Sequence, residues 1–210
     1  MPPGVDVWPV QLPGRGSRYK EPAYSSMEPL VRAVSTAIGP YLDVPFCFFG
    51  HSVGGMMSYE LAHAVFEEFG AEVKHLFVSG TRAPHLARVM ADIHSLPDDQ
   101  FLEQLKALNG TPPEVLENPE IIRIMMTTLR ADFKIAETYH CSTKPPLSCP
   151  ITAFGGLEDT EVPPDALEEW KTHTTSSFDL WQLPGDHFFI HSSESLVLQV
   201  LSQQIKQLIL

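Results

Sequence analysis

A chain of 210 residues, 43% apolar and 10% aromatic, is long enough to bury one sizeable core, and no segment has the polar composition of disorder. A net charge of −12 argues against nucleic acid and anionic membrane as partners, since both require a basic face, and no run of about 18 apolar residues offers a bilayer span. The opening MPPGVDVWPV lacks the basic and apolar regions of a signal peptide, and Cys47, Cys141 and Cys149 form no CxxC pattern, so the expectation is a cytoplasmic chain without a disulfide framework.

Val5 to Leu12 is a short apolar run closed by Pro-Gly, which predicts a strand, followed by the basic loop PGRGSRYK. Ser25-x-x-Glu28 has the form of a capping box, and Leu30, Val34 and Ile38 continue one helical face until Gly39-Pro40. Phe46 to Phe49 predicts a second strand. After the glycines that follow it, Met57, Leu61, Val65 and Phe69 recur every four residues until Gly70, which predicts a helix. The alternation continues with strands at His75 to Ser79, Ile151 to Phe154 and Phe178 to Leu183, a helix near Asp165 to His173, and a last amphipathic helix from about Ser193. Strands alternating with helices imply an α/β fold: a mostly parallel sheet, covered on both faces, with its sites at the carboxyl ends of the strands. The stretch from about Pro84 to Pro146 breaks the pattern with helices at Asp98 to Leu108 and Glu120 to Tyr139. It reads as a helical lid insertion, at about 84–146, within a single domain spanning 1–210, and inserted lids commonly select substrate.

The chemistry concentrates at PFCFFGHSVGG. A serine hydroxyl attacks only when a base removes its proton and a third group orients that base. Ser52 lies at a strand-to-helix turn, where the strained backbone demands small residues two before and two after it, and Gly50 and Gly54 meet that demand. The same turn aims the amide of Val53 at the site as a donor for a developing oxyanion. An acid and then a histidine are expected downstream, each past a strand end. Asp159 follows the run Ile151 to Phe154 in GGLED, and His187 follows the run Phe178 to Leu183 in PGDHFF. Glu158 and Glu161 stand as alternative acids. His187 and His191 have HxxxH spacing but no third metal ligand at sensible distance, and His51 reads as packing beside the turn rather than as the base.

With these elements, LPGRGSR at Leu12 to Arg18, FFGHSVGG at Phe48 to Gly55, LRADFKIAETY at Leu129 to Tyr139, GGLED at Gly155 to Asp159, EEW at Glu168 to Trp170 and QLPGDHFFI at Gln182 to Ile190, the sequence resembles the type II thioesterases. These are α/β-hydrolases that serve fatty-acid, polyketide and nonribosomal-peptide synthases. The resemblance covers nearly the whole chain. It implies Ser52 as nucleophile, Asp159 as orienting acid, His187 as base and Val53 as oxyanion donor, with no metal or organic cofactor. The substrate it implies is an acyl thioester on the phosphopantetheine arm of an acyl carrier protein, released as a free fatty or polyketide acid. Leu105, Leu108, Ile121, Met125, Met126, Leu129 and Phe133 are candidates for an acyl channel, with core packing as the plain alternative. Arg15 and Arg18 are candidates to meet the carrier protein, with solvated loop charge as the alternative. Family members carry further strands and a Gly-rich loop, source of a second oxyanion amide, ahead of the region matching Val5 to Leu12. The expectation is therefore a sheet that lacks its N-terminal strands. Two other readings stand beside thioester hydrolysis: a carboxylesterase with the same triad, and an impaired member that binds acyl chains or carrier protein without turnover.

Overall fold

Strand Cys47–His51 (β1) is followed by helix Val53–Phe69 (α2), which returns the chain to strand His75–Ser79 (β2) alongside β1. This computed structural model describes residues 1–86, 92–108, 110 and 113–208. Strands Ile151–Gly156 (β3) and Phe178–Leu183 (β4) extend the sheet in the order β1-β2-β3-β4, every pair parallel, with Phe49 opposite Phe77, Phe77 opposite Thr152 and Phe154 opposite Trp181. β2 and β3 are buried at every residue, as central parallel strands covered on both faces must be.

Alternation along the strands sends neighbours to opposite faces. On one face Phe77, Phe154 and Leu183 pack with Phe189, of the short helix Phe189–Ser192 (α7), and with Val197, Val200 and Leu201, of the last helix Glu194–Leu208 (α8). Leu76, Val78 and Ala153 alternate onto the other face, where α2 packs on β1 and β2 and helix Pro164–Glu168 (α6) packs on β3 and β4. Each large apolar side chain buried this way contributes ~1.5–3 kcal/mol. α2 ends where Gly70 turns left-handed, with φ of 66° and its N–H bonded to the Phe66 carbonyl at 2.9 Å.

The chain divides into two compact units. The first joins Met1–Trp8, Val31–Leu86 and Cys141–Leu210, and the second joins Pro9–Leu30 with Ala87–His140. Helix Met27–Ile38 (α1) spans the boundary at Leu30. The second unit is built on helices Asp98–Ala107 (α3), Pro113–Leu116 (α4) and Pro119–Thr138 (α5). Its core gathers Ile93, Phe101 and Leu105, with Leu108, Met126, Leu129 and Phe133 packed against them. The Glu137 carboxylate pins the chain ahead of α3 by accepting the Ile93 and His94 amides at 3.0 and 3.1 Å and bonding His94 Nδ1. Among the described residues no helix is long and apolar enough to cross a membrane.

One expected element does not form. Val5 to Leu12 has no strand, and Val7, Trp8 and Val10 are exposed. An extended segment is stable only with a ladder partner; none of the described strands pairs with it, and Pro9 offers no N–H to a ladder. β1 forms the edge of the four-stranded sheet, and its Phe49 is exposed.

Candidate active site

The turn between β1 and α2 is the most constrained point of the backbone. Ser52 has φ of 52° and ψ of −121°, and among the described residues it alone, glycines aside, has positive φ. Such a conformation costs on the order of 1–3 kcal/mol and persists only when its surroundings fix it. Here the Ser52 N–H donates to the Ser79 carbonyl at 2.7 Å, while the Ser52 carbonyl accepts from Gly55 N–H at 2.9 Å. A side chain on Gly50 would overlap the backbone of Gly54, and one on Gly55 would overlap the Thr81 methyl. Gly54 has open space around its Cα, so the glycines that sterics demand are Gly50 and Gly55, not the pair expected from the spacing. Val53 begins α2, so its N–H lies in the first turn, where no intrahelical carbonyl can receive it.

Asp159 and His187 lie on adjacent loops beyond β3 and β4. The loops are laced together by Leu157 N–H to the Leu183 carbonyl at 2.8 Å and Glu158 N–H to the Gly185 carbonyl at 2.9 Å. Gly156 lets this happen, because a side chain there would overlap the carbonyls of Gly185 and Asp186. The result is a 2.8 Å hydrogen bond between His187 Nδ1 and Asp159 Oδ2, with both side chains almost wholly shielded. The other oxygen, Oδ1, accepts the amides of Glu161 and Val162 at 2.8 and 3.1 Å. The alternative acids Glu158 and Glu161 therefore frame the loop, and Asp159 holds the ring.

Burial and partnership oppose each other in this pair. Burial alone pushes the His187 imidazole down, but the Asp159 hydrogen bond and the carboxylates of Asp159, Glu161 and Asp186 outweigh it and hold His187 above its ordinary range. Burial alone pushes Asp159 up, yet the His187 bond and the two loop amides carry it below the usual carboxylate value. The arrangement favours Asp159 charged, with the His187 proton on Nδ1, which leaves Nε2 free to take a proton. Among the described residues no hydrogen bond joins Ser52 Oγ to His187. The two are related through the turn after β2: Ser79 accepts the Ser52 amide, and a Cβ on Gly80 would sit 3.3 Å from His187 Cε1.

His51 proves more intimate with this centre than the sequence indicates. Its ring is 5.1 Å from that of His187, and its Nδ1 bonds Ser79 Oγ at 3.0 Å. Burial, followed by the His187 charge, depresses it to about 3, so it is a neutral ring and no base. His191 is exposed, and its ring is 6.4 Å from that of Phe188. Among the described residues no group of three or more His, Cys, Asp or Glu could hold a metal ion. Two residues with structural claims on the site, Ser79 and Gly80, were not legible beforehand. Nothing in HLFVSG separates them from an ordinary strand end.

A parallel sheet whose first strand ends in a strained serine turn, with an acid and a histidine bonded to each other past its third and fourth strands, defines an α/β-hydrolase. The Thioesterase domain family model matches residues 1–208, and the chain belongs to that family. It is 42% identical over 209 residues to the linear gramicidin dehydrogenase LgrE of Brevibacillus parabrevis, covering 98% of this chain and 80% of that one. It is 38% identical to the gramicidin S biosynthesis protein GrsT of Aneurinibacillus migulanus, again over 98% and 80% of the two chains. Among solved structures, ClbQ from the colibactin NRPS/PKS pathway superposes with a TM-score of 0.89 at 32% identity, over 95% of this chain and 84% of that one.

Proposed function

We propose that the chain hydrolyses acyl thioesters carried on the phosphopantetheine arm of an acyl carrier protein, in the service of a nonribosomal-peptide, polyketide or fatty-acid synthase. The observation that carries this reading is the Asp159–His187 hydrogen bond on loops adjoining the strained Ser52 turn. In this reading His187 Nε2 takes the Ser52 proton as Oγ attacks the thioester carbonyl. The oxyanion is held by donors that include Val53 N–H, and His187 returns the proton to the departing pantetheine sulfur. Water, deprotonated by His187, then adds to the acyl-serine and collapse of the second tetrahedral species frees the acid. Relatives named for gramicidin biosynthesis and a neighbour from an NRPS/PKS pathway support a carrier-bound substrate.

The part of the helical unit that lies in sequence between β2 and β3 we assign to substrate selection as a lid within one hydrolase domain. Leu105, Leu108, Met126, Leu129 and Phe133 pack in that unit's own core, which leaves Ile121, exposed at the start of α5, and Met125 as the better channel candidates. The free thiols of Cys47 and Cys149 fit a cytoplasmic setting. One relative bears a dehydrogenase's name, but the β1–α2 turn here reads Gly50-His51-Ser52-Val53-Gly54-Gly55, without the glycine two after the first that a pyrophosphate-binding turn needs. The test incubates purified protein and Ser52→Ala with acyl-pantetheine thioesters and p-nitrophenyl esters. Ser52-dependent thioester turnover is expected. Ester turnover alone would make the protein a carboxylesterase, and equal background rates for the two proteins would leave a binding member only.

A further inference from the structure

We propose that Ser79 is a positioning residue that registers nucleophile against base, its carbonyl fixing the Ser52 backbone and its hydroxyl fixing the His51 ring on which His187 rests. This rests on the reading of Ser52 and His187 as nucleophile and base. Ser79 is fully buried at the carboxyl end of β2, opposite His51 in the ladder. Its carbonyl receives Ser52 N–H at 2.7 Å, which helps hold φ of 52° at the serine. Its Oγ lies 3.0 Å from His51 Nδ1, and either tautomer of the imidazole makes this bond, since the hydroxyl turns as donor or acceptor. His51 Nε2 is buried with no partner among the described residues, so the Ser79 hydroxyl is the ring's one polar anchor there. The anchored ring is walled by Phe188 and Phe189, each 5.9 Å away, and faces His187 at 5.1 Å. Gly80 makes the approach possible, because a Cβ there would stand 2.6 Å from His51 Cε1 and 3.3 Å from His187 Cε1. One strand-end residue thus controls the two coordinates that proton transfer from Ser52 to His187 depends on.

The charged groups around the pair are Asp159, Glu161 and Asp186 about His187, and Asp159 and His191 about His51. Burial is the largest influence on His187 and pulls it down. Freeing or shortening the His51 side chain admits water beside His187, and the imidazole then titrates higher. The experiment is a histidine NMR titration of full-length wild type, Ser79→Ala and His51→Asn, with thioester kinetics and Ser52→Ala run in parallel. In both variants His187 is expected to titrate about half a unit or more above wild type. Turnover per folded molecule is expected to fall on the order of 10–100-fold, with KM held within about threefold. Folded variants with the wild-type His187 titration and wild-type kcat overturn the proposal. If Ser79→Ala does not fold, His51→Asn decides by the same criteria. If wild type shows no Ser52-dependent turnover, the hydrolase reading fails while the NMR titration still decides whether Ser79 and His51 set the His187 environment.

Discussion

Asp159→Asn removes one negative charge and leaves the loop otherwise able to form. The asparagine oxygen can still accept the amides of Glu161 and Val162, which Asp159 Oδ1 holds at 2.8 and 3.1 Å. Its NH₂ then faces His187 Nδ1, where a carboxylate oxygen stands at 2.8 Å. Two donors cannot share that line, so the imidazole moves its proton to Nε2 and can no longer receive one from Ser52. The expected loss is ~10⁴ in kcat, about 5.5 kcal/mol of transition-state stabilisation at 1.36 kcal/mol per factor of ten. Two pH signatures accompany it. His187 is held high against burial by Asp159 first, so without the carboxylate its titration falls and the acid limb of kcat/KM moves to lower pH. The raised His187 stabilises the fold below its unfolded value, a contribution lost as pH rises through its folded value. The depressed Asp159 stabilises above its unfolded value, a contribution lost as pH falls. The pair therefore supports the fold most between about pH 4 and 6.5, and the stability cost of Asp159→Asn is expected to be larger at pH 5 than at pH 9. Thioester kinetics from pH 5 to 9 and urea unfolding at both ends measure all three quantities. A variant with kcat within tenfold of wild type, or an acid limb displaced upward, would refute the reasoning.

Gly50→Ala is expected to cost on the order of 3 kcal/mol in urea unfolding, because the new Cβ meets Gly54 backbone that cannot yield, whereas Gly54→Ala, with nothing within 4 Å, is expected to match or exceed wild-type stability. A double-mutant cycle on Arg15→Ala and Asp132→Ala is expected to give a coupling of about 1 kcal/mol that shrinks with added salt, since the bidentate pair at 2.8 and 3.0 Å is partly exposed. Asn118→Ala, which removes the acceptor for the Glu120 and Ile121 amides at the start of α5, is expected to cost about 1 kcal/mol by thermal unfolding.

What could be read from the sequence followed the strength of the local pattern. His75–Ser79 and Phe178–Leu183 form strands over the expected residues, because a turn or a proline bounds each apolar run. β1 begins one residue later than its apolar run and continues to His51, since Gly50 and His51 pair with Val78 and Ser79 although neither looks like a strand residue. The helix expected near Asp165 to His173 divides into α6 and a tighter 3₁₀ turn over Glu169–His173, where Trp170 buries itself and donates Nε1–H to the Thr81 carbonyl at 2.8 Å. The order of serine, acid and histidine was legible because each follows a recognisable strand. Ser79 was not, because its role comes from a neighbour in the ladder 28 residues away in sequence. Val5 to Leu12 had the right composition for a strand, but composition cannot supply a ladder partner.

The elements PGR and RAD, far from Ser52, Asp159 and His187 in sequence, owe their form to each other. On α5, Arg130 and Asp132 are two residues apart, about 200° around the helix, and so face opposite ways. Asp132 takes both Nη atoms of Arg15, and Thr128 one turn earlier on the same face donates to the Gly14 carbonyl at 2.7 Å, which ties the PGR loop to the helix. Arg130 reaches the other way to the His94 carbonyl and Asp98, both at 2.6 Å, with its guanidinium 4.3 Å from the centre of the Phe101 ring. Arg18 in turn grips Glu21 and the Gln11 carbonyl. Both loop arginines thus direct their Nη donors to partners inside the helical unit, while Arg15 Nε has no partner among the described residues. The same geometry makes Arg130→Lys a sharp test, because a single ammonium keeps the charge but cannot serve a carbonyl, a carboxylate and an aromatic face together. The expected loss is about 1–2 kcal/mol in urea unfolding. A wild-type midpoint would mean that the charge alone, not the planar fork, is what this position of α5 requires.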